Sequence, residues 1–410
     1  MLVYVLNKHG NPLMPCKPRK ARFLLKQGKA KVIQRTPFTI QLIHGSSGYK
    51  QPITLGVDSG FNHIGLSAVS ENQELYTEEV QLRMDMVKLH SERRQYRRSR
   101  RYRKIRYRKP RFLNRGNKQK GWLPPSIQHK LHSHIKVVER VKKILPISNL
   151  VVEVAAFDIQ KIKNADIQSK QYQQGEQLGF WNVREYILHR DNHTCQHCKG
   201  KSKDPILNIH HIVSRQIGGN RPDNLITLCA TCHKKYHKGA IKLKVKATNG
   251  FMAETFMSTV RWKLVNQLKE SGNTVSHTYG YVTKHHRIKQ KLPKSHVLDA
   301  YVIAGGNGQR RLSNIFSSKQ VHKCNRKLFK GIRSHIRNTA PRFIRGFQRF
   351  DKVLWNGIEC FIFGRRKTGY FALRKLDGTN IHTSAKAKDC TLLESANTLL
   401  TERRAPFLLA

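Results

Sequence analysis

CQHCKGKSKDPILNIHHIVSRQIGGNRPDNLITLCATCHKKYH, running from Cys195 to His237, decides how this chain is read. Two Cys-x-x-Cys knuckles, Cys195/Cys198 and Cys229/Cys232, bracket the adjacent histidines His210 and His211. Each short loop presents two soft ligands at once, and four thiolates in two such pairs suit a closed tetrahedral Zn²⁺ site. A closed site is structural. It accounts for the folding of the segment and leaves His210, His211, the Asp223–Leu225 stretch and His233 unexplained.

Those remaining residues match the HNH endonuclease pattern, in which a histidine, a central asparagine and a final histidine sit on a hairpin and helix around a metal. The chemistry implied is phosphodiester hydrolysis. His211 would take a proton from the attacking water, while His210, His233, Asn224 or the main chain hold a divalent ion against the scissile phosphate. In many such nucleases the residue before the general base is Asp. Here it is His210, whose neutral imidazole also ligates metals. The alternative is a plain zinc ribbon that binds nucleic acid and cuts nothing.

Charge points the same way. Lys and Arg number 78 against 25 Asp and Glu, a net +53 over 410 residues. So cationic a chain repels itself and is suited to polyanions. No acid lies between Glu92 and Glu139, or between Asp299 and Asp351. The first gap holds RRQYRRSRRYRKIRYRKPRF, with Arg93, Arg94, Arg97, Arg98, Arg100, Arg101, Arg103, Arg106 and Arg108 as phosphate-gripping candidates. Guanidinium forks match phosphate geometry, and Tyr96, Tyr102, Tyr107 and Phe112 offer stacking faces. Like-charge blocks are often merely solvated. This one is internal and has no Gly or Pro before Pro110, so it reads as a helix lying along a nucleic-acid backbone.

A hydrophobic fraction of 38% over this length supports two or three packed domains. MLVYVLNKHG meets charge and glycine too early for a signal peptide, and no eighteen-residue apolar run is present. Cys16, Cys324, Cys360 and Cys390 are scattered, as in a reducing compartment. A cytoplasmic protein is expected, with no membrane partner.

Outward from the zinc segment, ITLGVDSGFNHIGLSAVS reads as strand, tight turn and strand, with Asp58 where the first strand emerges. NLVVEVAAF reads as a buried strand interrupted by one acid, Glu153. SHVLDAYVIAGG opens a helix near Ser295 and puts His296 and Asp299 on one face. Two Mg²⁺ ions about 4 Å apart need several converging carboxylates, more than one local motif supplies. Asp58, Glu153, His296 and Asp299 are therefore the parts of an RNase H-like nuclease site in an α/β fold. The last hundred residues hold short strands with turns at Asn356–Gly357, Arg365–Gly369 and Asp377–Gly378, suggesting a small β-barrel or curled sheet.

NPLMP near the N-terminus, GVDSG, the Arg-rich stretch, VVEVAAFD, the inserted HNH module and HVLDAYVIA, in that order, resemble the IscB family of transposon-associated, RNA-guided nucleases. The resemblance implies a RuvC-like core split in three: residues 53–83 around Asp58, 125–178 around Glu153, and 241–307 around His296 and Asp299. It implies a PLMP-type domain over 1–52, an Arg-rich bridge helix and linker over 84–124, and the HNH domain over 179–240. Residues 308–410 would form a C-terminal domain that reads a short target-adjacent motif in the duplex. Its cofactors would be Mg²⁺ (Mn²⁺ as the alternative) at Asp58, Glu153, His296 and Asp299 and at His210 and His233, structural Zn²⁺, and a long non-coding guide RNA. A monomeric protein in a ribonucleoprotein acting on double-stranded DNA, in a prokaryotic cytoplasm at the nucleoid, is the expected setting. The HNH site would cut the guide-paired strand and the RuvC-like site the displaced strand. Other readings are a protein-only HNH homing endonuclease or junction resolvase, or a non-catalytic nucleic-acid-binding accessory of a transposon.

Overall fold

A computed structural model of the chain describes residues 2–44, 48–102, 122–154, 180, 182–214, 220, 222–243, 245, 252–323 and 340–404. It divides into two compact units, Met1–Ala155 with Phe256–Ala410, and Ala156–Thr255. Arg103, Arg106, Arg108, Tyr107, Phe112 and Cys324 lie outside the described residues.

The N-terminal strands β1 (Val3–Leu6), β2 (Pro12–Cys16), β3 (Ala30–Gln34) and β4 (Thr39–Leu42) form one sheet in the order β2-β1-β4-β3. Helix α1 (Pro18–Lys26) begins with proline, whose missing N–H would have no intrahelical partner there anyway. Val3, Val5, Leu13, Ala21 and Ile40 close a small core beneath it.

Next, β5 (Thr54–Ser59), β6 (His63–Val69) and β7 (Glu74–Gln81) run as an antiparallel meander. Helix α2 (Met86–Tyr102) carries the first half of the Arg-rich stretch, and α3 (Pro125–Lys142) follows. Strand β8 (Asn149–Val154) then pairs parallel to β5, on the side away from β6. These strands are buried on both faces, which explains their near-continuous apolar runs. Helix α3 buries Ile127, Leu131, Val137, Val138 and Val141 in the same core.

The second unit holds α4 (Val183–Arg190), β9 (Leu207–His211), β10 (Leu225–Cys229) and α5 (Ala230–His237). Asn182 caps α4 by accepting from the Glu185 N–H. Strands β9 and β10 pair antiparallel, with His210 opposite Ile226 and His211 opposite Leu225.

The chain then forms α6 (Met252–Glu270) and β11 (Val275–Tyr279), the latter parallel to β8. Helices α7 (Gly280–Lys289) and α8 (His296–Ile303) follow, then β12 (Ile315–Gln320) parallel to β7. Strands β13 (Lys352–Trp355), β14 (Ile358–Arg365), β15 (Tyr370–Arg374), β16 (Asn380–Lys386) and β17 (Thr391–Glu394) make a five-stranded antiparallel sheet. Its β13–β14 hairpin turns at Asn356–Gly357, both at positive φ, as a two-residue hairpin of this kind requires. Finally β18 (Leu399–Arg404) pairs antiparallel to β12, completing a seven-stranded sheet in the order β11-β8-β5-β6-β7-β12-β18. Residues 308–410 are therefore shared between two sheets, and a cut at residue 308 would strip β12 and β18 from the larger one.

Two glycines decide where α8 lies. A Cβ on Gly65 would collide with the His296 carbonyl oxygen, and one on Gly56 with that of Ala300. With hydrogen in those places the helix backbone rests directly on β5 and β6, carrying His296 and Asp299 to the strand end that bears Asp58.

Candidate functional site

In the smaller unit, one sulfur from each of Cys195, Cys198, Cys229 and Cys232 lies within 4.8 Å of the others. The Cys198 and Cys229 sulfurs are 3.9 Å apart. Zn–S bonds of about 2.3 Å in a tetrahedron place sulfurs about 3.8 Å apart, so the four thiols fit Zn²⁺. The Cys229 Sγ also accepts from the Cys232 N–H at the start of α5, so one residue serves both the knuckle and the helix cap.

A second cluster stands at the other end of these elements. His210, His233 and His237 bring one ring nitrogen each within 4.8 Å of the others. His210 Nε2 is buried without a hydrogen-bond partner, and the Nε2 atoms of His233 and His237 are 3.2 Å apart. Lone pairs left converging in this way fit a cation. Burial, with the neighbouring His233 and His237, pushes His210 down to about 4, which keeps it neutral and ligating. Three imidazoles suit transition-series ions, whereas Mg²⁺ prefers oxygens, so the donor set here does not fit the expected magnesium.

His211 lies beside this cluster, with Nε2 3.0 Å from the Asn220 Oδ1. Asn224 is 2% exposed, and its amide clamps the loop after β9: Oδ1 accepts from the Val213 N–H at 2.8 Å and Nδ2 donates to the Val213 carbonyl at 2.9 Å. These two bonds hold the strand end that carries His211. Asp191 adds a second clamp, accepting from the Thr227 N–H.

The larger unit gathers the four expected acid-site residues. Asp58, 6% exposed at the end of β5, accepts from His296 Nδ1 at 2.6 Å. Glu153 on β8 lies against Gly280, the first residue of α7. Burial raises its carboxyl above the usual range, and the charge of Asp58 adds to the shift. Asp299 is raised by burial and again by Asp58, while the Arg287 guanidinium pairs with it, Nε 2.9 Å from Oδ1. The charge of Asp58 acts on both Glu153 and Asp299, so these carboxylates are in electrostatic contact, and a divalent cation relieves that repulsion. Oxygen donors of this kind fit Mg²⁺. His296 is raised in turn, first by its hydrogen bond to Asp58.

Residues 195–239 match the family model described as HNH endonuclease. The chain carries an HNH endonuclease domain. Residues 3–175 match the model of the RRXRR protein, so an RRXRR domain precedes the HNH domain. A segment making up 15% of the chain is 44% identical over 65 residues to Anaredoxin of Nostoc sp. (strain PCC 7120 / SAG 25.82 / UTEX 2576), covering 82% of that protein. Crystal structures of Streptococcus thermophilus Cas9 in complex with the AGAA PAM and with the GGAA PAM align over 50% of this chain at 14% and 16% identity, with TM-scores of 0.34 and 0.33. This chain spans 30% of the length of those Cas9 chains. Among the described residues no helix is long and apolar enough to cross a membrane.

The HNH domain supports a nuclease activity, and its centre contains a residue that the sequence reading passed over. His237 follows His233 by one helical turn, and that i, i+4 spacing was its available signal. His63 and Glu79, beside His296, were also passed over, because neither belongs to a recognisable motif. On α2, Arg93, Arg94, Arg97 and Arg98 are exposed, as phosphate contacts require.

Proposed function

We propose that this protein is an RNA-guided endonuclease that cuts both strands of a DNA duplex, one in the HNH domain and one at the acid site, as the resemblance to IscB implies. One observation carries the reading: a single chain pairs an HNH centre with a separate set of acids, Asp58, Glu153 and Asp299, drawn from three stretches onto one sheet and helix. The sheet order β11-β8-β5-β6-β7, with only β6 antiparallel to its neighbours, supports a RuvC-like core split by the HNH insertion. The strand assignment and the guide come from the resemblance. So do the bridge-helix role of α2 and the motif-reading role of the C-terminal sheet.

At the HNH centre the protein supplies the base and its orientation. His211 stands on a strand end locked by Asn224, with its Nε2 engaged by Asn220 and its other nitrogen left to take a proton from water. At the acid site, Asp58, Glu153 and Asp299 would hold Mg²⁺, which when bound polarises the phosphate and activates water. Asp58 also orients His296 through Nδ1, leaving Nε2 for proton transfer. Arg287 must give up part of its hold on Asp299 when a cation enters. The exposed arginines of α2 neutralise phosphates without reading bases.

The test is to purify the protein from a host expressing its own locus, sequence any bound RNA, and supply a duplex matching that RNA. Recovery of one defined RNA that redirects cutting when its guide segment is changed is expected. Cutting of a fixed sequence by RNA-free protein would overturn the reading.

A further inference from the structure

Four aromatic side chains follow one another along the edge of the sheet that carries Glu153. Trp262 on α6, His277 and Tyr279 on β11 and Tyr281 on α7 have successive ring centroids 5.1, 5.6 and 5.9 Å apart. We propose that this row of rings stacks the bases of an unpaired DNA strand and holds that strand beside the acid site, which rests on the reading of that site as one that cuts DNA.

Local structure sets the row. Alternate residues of a strand share a face, so His277 and Tyr279 stand on one side of β11, and among the described residues this strand pairs only with β8. Trp262 meets His277 at 62°, and His277 meets Tyr279 at 90°. Past the strand end, Tyr281 lies parallel to Tyr279 within 10°. Packing accounts for Tyr279, which is half-buried against the main core. It does not account for Tyr281, 74% exposed, or for Trp262, 37% exposed. A ring as open as Tyr281 removes little apolar surface from water, so the core does not hold it there.

Two contacts tie the row to the acids. Gly280, between the two tyrosines, is so close to Glu153 that a Cβ on it would stand 3.3 Å from the carboxylate Oε1. Arg261, the residue before Trp262, donates Nε to the Ser59 carbonyl at 2.9 Å, next to Asp58, and its positive charge acts on Glu153. The surrounding charge suits a polyanion. No Asp or Glu lies between Glu270 and Asp299, a stretch that holds Lys284, Arg287, Lys289, Lys291 and Lys294. Every base has a π face, so aromatic rings set among cations hold single strands without reading their sequence. Position selects DNA over RNA, because the row borders the acids that would cut DNA.

The test uses the full-length protein with its zinc and its co-purified RNA, in buffer without Mg²⁺ so that nothing is cut. The probe is single-stranded oligothymidylate carrying 5-iodouracil. Irradiation and peptide mapping should place crosslinks at both Trp262 and Tyr281. In Tyr281→Ala the DNA concentration that half-saturates the Trp262 crosslink should rise about 5–100-fold, and in Tyr281→Phe, which keeps the ring, it should not. The salt dependence should stay that of the wild type, since a lost ring releases no counterions. Equal thermal midpoints in the three proteins establish that the fold is intact. A strand that misses either ring, wild-type affinity in Tyr281→Ala, or crosslinking of Tyr281 to the bound RNA in place of the DNA would overturn the assignment. None of these readouts involves cutting, so the row can fail while the nuclease reading stands, and the reverse.

Discussion

The two centres are built in opposite ways. In the HNH domain every functional side chain, from Cys195 to His237, comes from one short stretch, and its core is little more than the cysteines with Ile226 and Leu228. At the acid site Asp58, Glu153 and Asp299 come from distant points of the chain and meet only because a large sheet brings β5, β8 and α8 together. The first centre therefore has little apolar core of its own and is fitted to draw stability from a bound Zn²⁺. The second draws it from buried apolar surface, and its charges are a burden that the core carries.

Removing one zinc ligand should produce the largest effect. Cys229→Ser takes away a thiolate and the sulfur cap of α5, and structural zinc supplies on the order of 10 kcal/mol of folding free energy in small modules. Hydrogen exchange should show the Val183–His237 elements losing protection while β5, β6 and β8 keep theirs. Loss of protection in both would mean that the units do not fold separately.

Next comes a contrast within the sheet itself. Glu78, fully buried on β7, is paired with Arg140 and accepts from the Tyr76 hydroxyl at 2.7 Å. Glu74 on the same strand accepts from Ser67 and Arg311. These acids are buried as deeply as Asp58 and each is ion-paired with an arginine, whereas Glu153, though hydrogen-bonded by Thr283, faces the charges of Asp58 and Asp299. Arg140→Ala should cost about 3–5 kcal/mol by stranding the Glu78 charge. Glu153→Gln should leave stability unchanged or raise it, since its charged form is the disfavoured one in the fold. Urea melts of the two variants compare the two kinds of acid directly. A large loss for Glu153→Gln would place it among the structural acids.

A smaller effect should come from His134, fully buried on α3 with Nδ1 donating to the Lys130 carbonyl at 2.8 Å. Burial pushes it down to about 4, against about 6.5 in an unfolded chain. A pKa lowered in the fold means that its contribution is complete above about pH 6.5 and is lost as pH falls toward 4. At pH 5 the loss should reach about 2 kcal/mol. His134→Gln should remove that part of the acid sensitivity of the sheet, read as the wild-type-minus-variant difference in urea midpoint at pH 7.5 and pH 5. No difference between the two pH values would show that His134 is protonated in the fold.

The same contrast explains what could be read in advance. The zinc knuckles, His210, His211 and His233 were legible because their ligand spacing is local, and His237 was visible as the next turn of the same helix. Asp58, Glu153, His296 and Asp299 were legible as isolated acids in apolar strands and as a helix face, but their meeting depends on tertiary packing. Glu74 and Glu78 could not be told from catalytic acids, because their partners Arg311 and Arg140 lie 237 and 62 residues away. The pairing of β12 with β7 and β18 was equally hidden, since a parallel neighbour and a returning last strand leave no turn signal between them.

Two separable cutting sites in one chain are what the proposed function requires. The most direct measurement is strand-resolved cleavage of a duplex labelled differently on its two strands, by wild type, Asp58→Ala and His211→Ala with the guide RNA bound. Asp58→Ala should cut only the guide-paired strand and His211→Ala only the displaced strand, each lost cut falling by about 10²–10⁴-fold. If either change abolished cutting of both strands while DNA binding survived, the two-site account would be contradicted.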